Sequence, residues 1–134
     1  MGLSSIAHLT LATQDISRTA EFFEQTMGWV PIHRPVNIGC PAAWLAISPG
    51  QELHLIQVAG FKASEFEAEF GRHIAVRYPL GQFDALKARL VRYGAELIEP
   101  KRETPFQRFF FREPNGYVIE VVDAGHAPET DAEL

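Results

Sequence analysis

Two histidines and one glutamate, His8, His73 and Glu120, carry side chains that could bind a divalent metal ion. Imidazole nitrogen and carboxylate oxygen suit Zn, Ni, Fe(II), Mn or Co, so the residue types do not select one metal. Glu120 lies inside an apolar run at residues 117–122. Unless that strand faces water, its carboxylate needs a cation or a hydrogen-bond donor as a partner.

The elements that would position these side chains follow the same order twice. In the first half, an alternating segment predicts a strand, and an amphipathic segment between Asp15 and Gly28 predicts a helix. The predicted elements are a strand at 6–13, a helix at 16–27 and strands at 29–34, 42–48 and 52–58. The second half repeats them as a strand at 73–78, a helix at 82–93 and strands at 96–99, 108–112 and 118–122. The predicted fold class is α+β, with two tandem βαβββ modules.

The predicted domain organisation follows from this repeat. The chain of 134 residues is long enough for one compact domain but short for two independent ones. We predict a single domain made of module one at 5–58, a connector at 59–71, module two at 72–123 and a flexible tail at 124–134.

Landmark residues support a duplication that pairs His54 with Glu120. The offset between the halves is 65 residues for His8 and His73, and 66 for the glycine pair Gly50 and Gly116. Since alternate residues of a strand point to opposite faces, the leucines on either side of His54 and the apolar neighbours of Glu120 would take the face covered by a helix. His8, His54, His73 and Glu120 are then all predicted on the uncovered faces, the first two in one module and the last two in the other.

Composition excludes several function classes. With a net charge of -5, the chain has no excess of basic residues that could bind the phosphates of a nucleic acid. No apolar run reaches the length of a membrane helix. The single cysteine, Cys40, favours a reducing compartment, and the N-terminus carries no targeting signal. We therefore predict a cytoplasmic protein that acts on a small molecule, without nucleic-acid or membrane partners.

Three segments resemble the vicinal oxygen chelate superfamily, which includes glyoxalases, bleomycin-resistance proteins and dioxygenases. They are the sequences Ile-Ala-His-Leu-Thr-Leu at 6–11, Gly-Arg-His-Ile-Ala-Val at 71–76 and Arg-Glu-Pro-Asn-Gly-Tyr-Val-Ile-Glu at 112–120. The resemblance implies a cupped, eight-stranded mixed sheet around a metal site, assembled as a homodimer in which modules can be exchanged between chains. It also implies that His8, His73 and Glu120 bind the metal. His54 takes the place of the fourth ligand, which is Glu or Gln in the glyoxalase and epimerase branches.

The resemblance and the donor set together predict a glyoxalase-like lyase or isomerase that chelates neighbouring oxygens of a small anionic substrate. Three neutral imidazoles and one carboxylate would leave a divalent ion with a net charge of about +1, which favours an anion and strengthens Lewis acidity. Glu120 and His54 are the predicted catalytic residues, with His54 replacing the usual carboxylate base. Arg77, Arg108 and Thr10 are predicted to contact substrate, since strand parity directs them to the uncovered faces.

Two alternatives use the same fold. An Fe(II) extradiol dioxygenase would need only His8, His73 and Glu120 as ligands. A metal-free drug-binding resistance protein would hold its ligand in an apolar groove, but the metal positions of such proteins are usually replaced by other residues.

Overall fold

The computed structural model of this chain describes residues 2–126 and divides between Lys62 and Ala63 into two units. The first unit contains β1 (His8–Thr13), α1 (Ile16–Met27), β2 (Val30–Ile32), β3 (Ala42–Ser48) and β4 (Gln51–Gln57). The second contains β5 (Ile74–Tyr78), a 3-10 turn (Leu80–Gln82), α2 (Phe83–Arg92), β6 (Glu96–Ile98), β7 (Arg108–Arg112) and β8 (Val118–Asp123). The predicted tail from residue 127 onward lies outside the described residues.

Each unit forms its own four-stranded mixed sheet, so the prediction of an α+β fold with two βαβββ modules is confirmed. The strand order is β1-β4-β3-β2 in the first sheet and β5-β8-β7-β6 in the second. The first and last strands of each module run parallel, and the other neighbours run antiparallel. The same topology therefore appears twice, as the repeated sequence order predicted.

Four predicted strands and one predicted helix are shorter than expected. β2 covers only three residues at the edge of its sheet, where Pro31, which lacks an N–H, is tolerated, and Trp29 before it is buried with its ring stacked on Phe23. The second helix begins at Phe83, after the 3-10 turn. β5 begins at Ile74, so His73 lies one residue before the strand in which it was predicted.

Each helix covers one face of its sheet. The Asp15 side chain accepts a hydrogen bond from the Arg18 backbone N–H at 3.1 Å and caps α1, and Gly28 ends this helix with a φ of 74°. The buried face of α1 packs on β3 and β4, where Leu53 and Leu55 are fully buried. In the second unit, the buried residues of α2 are Phe83, Leu86 and Leu90, and Phe83 meets Phe109 of β7 edge to face. The helix-covered faces are therefore apolar.

The strand register places the candidate residues on the faces that the helices leave uncovered. In the first sheet His54 is paired with Thr10 and with Trp44, and in the second Glu120 is paired with Ala75 and with Phe110. His8 lies two residues before Thr10, and His73 lies two residues before Ala75. The predicted equivalence of His54 and Glu120 is confirmed by this register.

None of the helices between residues 2 and 126 is long and apolar enough to span a membrane.

Candidate metal centre

In the first unit, His54 is held between two aromatic rings. Its imidazole stacks on His8 with ring centroids 4.0 Å apart and on the indole of Trp44 at 3.6 Å, with interplanar angles of 18° and 8°. His54 is only 8% exposed. The stack fixes the plane of the His54 ring and keeps it in contact with His8.

Glu52 determines which nitrogen of His54 can bind a ligand. The Nε2 atom of His54 lies 2.9 Å from Oε1 of Glu52. Because an ionised carboxylate only accepts hydrogen bonds, Nε2 carries the proton, and the neutral ring keeps its lone pair on Nδ1. Histidine ligands in metal sites commonly donate their other N–H to a carboxylate or a carbonyl in this way. Glu52 lies two residues before His54 on the same strand, so both side chains point to the same face. The position of Glu52 could therefore have been predicted from the sequence, although it was not.

In the second unit, His73 and Glu120 face each other. Nε2 of His73 lies 3.3 Å from Oε1 of Glu120, and Nδ1 of His73 lies 3.1 Å from the carbonyl oxygen of Ala68. Since a carbonyl only accepts, Nδ1 carries a proton, and once Nε2 is deprotonated, as metal binding requires, its lone pair faces the carboxylate. Two lone-pair atoms at this separation fit a shared cation, because bonds of about 2.1 Å to each would subtend roughly 100°.

The other oxygen of Glu120 is occupied by Arg108. The Nη1 atom of Arg108 donates to Oε2 of Glu120 at 3.0 Å, and its Nη2 donates to Oε2 of Glu69 at 2.9 Å. The Arg108 side chain is only 3% exposed. The guanidinium therefore spans two carboxylates instead of standing in solvent. The alternation of side chains along the strand predicted the face on which Arg108 lies. It gave no indication of the contact with Glu69, which lies in the connector between predicted strands.

Of the two carboxylates that contact Arg108, Glu69 is the more strongly hydrogen-bonded. Burial alone would raise its pKa, but hydrogen bonds from the backbone N–H groups of Lys101 and Arg102 and from Arg108 outweigh burial and lower the pKa to about 2. For Arg108, burial opposes the charged form, yet the hydrogen bonds to Glu69 and Glu120 outweigh it and raise the pKa above its ordinary value. Both groups are therefore charged at neutral pH.

This low pKa makes the stability of the metal-free chain depend on Glu69 in acid. The folded-state pKa of about 2 lies below the ordinary 4.5, so the stabilisation is fully present above about pH 4.5 and is lost as pH falls through 2. We expect the difference in urea-unfolding free energy between the chain and Glu69→Gln to shrink as pH falls from about 6 to 3. A difference that stays constant over this range would contradict the assignment.

Thr10 and Arg77, both predicted to contact substrate, are exposed. Thr10 is the strand partner of His54, and Arg77 lies two residues beyond Ala75, the strand partner of Glu120. The register therefore puts each on the same face as a candidate ligand.

The candidate ligands form two pairs, His8 with His54 in the first unit and His73 with Glu120 in the second. Over residues 2–126, His, Cys, Asp and Glu side chains form no group of three or more that could hold a metal ion. The four-ligand site predicted from the sequence therefore stays a prediction, and the structure shows only that the two members of each pair are in contact.

These features define a class of protein: a duplicated βαβββ chain with histidine and carboxylate pairs on the uncovered sheet faces. The model of the Glyoxalase/Bleomycin resistance protein/Dioxygenase superfamily matches residues 5–121. The chain belongs to this superfamily, which confirms the resemblance drawn from its three segments.

Two relatives and one solved structure are similar to this chain at low identity. Glyoxylase I 4 of Arabidopsis thaliana is 21% identical over 94% of this chain and 74% of its own length. Metallothiol transferase FosB of Shouchella clausii is 25% identical over 89% of this chain and 80% of its own. A variant of the fosfomycin resistance protein FosX from Listeria monocytogenes, solved with Mn(II) and 1S,2S-dihydroxypropylphosphonic acid, has a TM-score of 0.71 and 18% identity over 90% of both chains. This structural likeness supports the fold.

Proposed function

We propose that this chain is a divalent-metal-dependent enzyme of the glyoxalase-like lyase or isomerase type, with His8, His54, His73 and Glu120 combined in one metal site. The observation that carries the proposal is the opposition of His73 Nε2 and Glu120 Oε1 at 3.3 Å. Nδ1 of His73 is already in contact with the Ala68 carbonyl oxygen, and Oε2 of Glu120 already accepts a hydrogen bond from Arg108. Both facing atoms are thereby oriented as cation ligands.

The first unit supplies the remaining donors of the proposed site. Nδ1 of His54 carries the lone pair because Glu52 accepts from Nε2, and His8 is in ring contact with His54. The donor set would be three imidazoles and one carboxylate, which suits a first-row transition metal and does not distinguish Zn, Ni, Fe, Mn or Co.

We propose an anionic substrate with two neighbouring oxygens. A bound divalent ion would supply Lewis-acid stabilisation to those oxygens. A site charge of about +1 would favour a carboxylate or phosphonate, in keeping with the phosphonate found with Mn(II) in the FosX structure. Among the chain's own residues, Arg77 would anchor the anionic end and Thr10 would donate a hydrogen bond, since both are exposed.

Proton transfer is assigned to His54. Glu52 holds its Nε2–H, so Nδ1 is the atom that would accept or return a substrate proton whenever it is not bound to the ion. Glu120 acts by holding the ion. A reaction that needs a carboxylate base at the position of His54 is not expected, so the proposal favours an isomerase or lyase other than lactoylglutathione lyase.

Manganese loading tests this function directly. We expect about one Mn(II) per chain, with a water-proton relaxation signal that falls when 1S,2S-dihydroxypropylphosphonic acid displaces water from the ion. Propylphosphonic acid, which lacks both hydroxyls, is the matched control and should displace much less. A chain that takes up no stoichiometric Mn(II), Zn, Ni or Fe(II) would be incompatible with the proposal.

A further inference from the structure

Arg108 lies buried between two carboxylates of the second unit. Its Nη1 contacts Glu120, its Nη2 contacts Glu69, and the same Nη2 also donates to the carbonyl oxygen of Arg102 at 2.6 Å. The Phe110 ring lies against the guanidinium, with Cζ 5.1 Å from the ring centroid. Among the described residues the buried Nε of Arg108 has no hydrogen-bond partner, but its two terminal nitrogens share three acceptors, which hold the guanidinium in a fixed position.

Glu69 is fixed independently of Arg108. Its two carboxylate oxygens accept from the backbone N–H groups of Lys101 at 2.6 Å and Arg102 at 3.0 Å. The Glu69 side chain is only 8% exposed. Backbone donors cannot rotate away as side chains can, so Glu69 is a rigid anchor for the guanidinium.

We infer that Glu69 and Arg108 are positioning residues for Glu120: Arg108, held by Glu69, fixes one oxygen of Glu120 so that the other faces His73 Nε2. The inference rests on the proposed metal site. A planar guanidinium can span two carboxylates at once, which the single ammonium of lysine cannot do with the same geometry. Arg108 is thus assigned to holding a ligand, in place of the substrate contact that the sequence predicted.

The charge of Glu69 has a second consequence. Without Glu69, the positive charge of Arg108 would be matched by Glu120 alone, and the carboxylate would have less negative charge to offer a cation. With Glu69 present, the guanidinium is neutralised by a residue that does not face His73. The negative charge of Glu120 is therefore available to attract the ion.

The test compares Mn(II) affinity in three variants of the full chain, measured by electron paramagnetic resonance of free and bound Mn(II). Arg108→Lys and Glu69→Gln should each weaken binding about 10- to 100-fold, the range seen when groups that orient a ligand are removed. They should also change the zero-field splitting of bound Mn(II). Arg112→Lys is the matched control, because Arg112 lies on the same strand and face but donates only to the carbonyl oxygens of Gly116 and Glu67. It should bind within about twofold of the unaltered chain.

Thermal unfolding of each metal-free variant shows whether a loss of Mn(II) affinity comes from a displaced ligand or from an unfolded chain. Should Arg108→Lys unfold, the double variant Glu69→Gln with Arg108→Met removes both charges together and should weaken Mn(II) binding by the same factor. Unaltered Mn(II) affinity in folded Glu69→Gln and Arg108→Lys would overturn this inference alone, provided that His73→Ala still lowers the affinity on the order of 100-fold. Absence of Mn(II) binding in the unaltered chain would overturn the metal site as well, so the two failures are distinguishable.

Discussion

Replacing either His8 or His73 with alanine should lower divalent-metal affinity on the order of 100-fold. Structural zinc sites with four ligands bind with about 10–16 kcal/mol, so one ligand accounts for about 3 kcal/mol, which corresponds to roughly 100-fold. The two histidines belong to different units, and each stands in contact with a second candidate ligand. Equal losses from both substitutions are expected only if the two pairs combine in one site.

The measurement is isothermal titration with Mn(II) or Zn on metal-free protein. His33→Ala is the control, because His33 is exposed and has no proposed role. We expect the control to bind like the unaltered chain. A loss confined to His73→Ala would show that the second unit binds metal without the first, and a loss in neither would remove both histidines from the site.

Gly71→Ala should disrupt the turn that supports the second pair of ligands. A Cβ at Gly71 would collide with the carbonyl oxygen of Phe66, which accepts a hydrogen bond from the Arg72 backbone N–H at 2.8 Å. The backbone around the turn must therefore shift. The shift would move Ala68, whose carbonyl oxygen holds His73, and would disturb Glu69, which holds Arg108. We expect a loss of unfolding free energy of about 2–4 kcal/mol, within the range for strain that the structure cannot relieve.

Urea unfolding of the metal-free protein measures this loss, and metal titration of the folded variant measures the accompanying loss of affinity. Gly81→Ala is the matched control in the same unit, since a Cβ there meets no atom within 4 Å and its φ is not positive. The control should change stability by less than about 1 kcal/mol. If both alanine variants were equally stable, the turn would not be constrained as the structure indicates.

The repeated strand pattern was sufficient to predict the βαβββ order of elements in each half and the faces on which the candidate residues lie. His54 and Glu120 could be paired between the halves because side-chain direction alternates strictly along a strand, and a constant offset then preserves the face. The same rule predicted that Arg108 lies on the uncovered face if Phe109 and Phe111 take the covered one, as they do. The observed register confirms these expectations.

The partners of those residues were harder to predict. Glu52 shares a face with His54 and could have been found by parity, but their contact depends on the directions in which the two side chains turn along β4. Glu69 and Ala68 lie in the connector, where no periodic pattern relates a residue to a strand. Their contacts with Arg108 and His73 arise from the path of the chain between elements, which alternation does not encode.

The sequence by itself therefore determined the α+β class, the duplication and the four side chains that could bind a metal, because each depends on periodicity or residue chemistry. The tertiary structure decided which atoms those side chains present. It set the Glu52 carboxylate against Nε2 of His54 and the Ala68 carbonyl against Nδ1 of His73, contacts that select the tautomer of each neutral ring, and it tied one oxygen of Glu120 to Arg108. These outcomes depend on distances of about 3 Å between residues two, five and twelve positions apart in the chain, and a hydrogen bond forms only where the fold brings donor and acceptor that close.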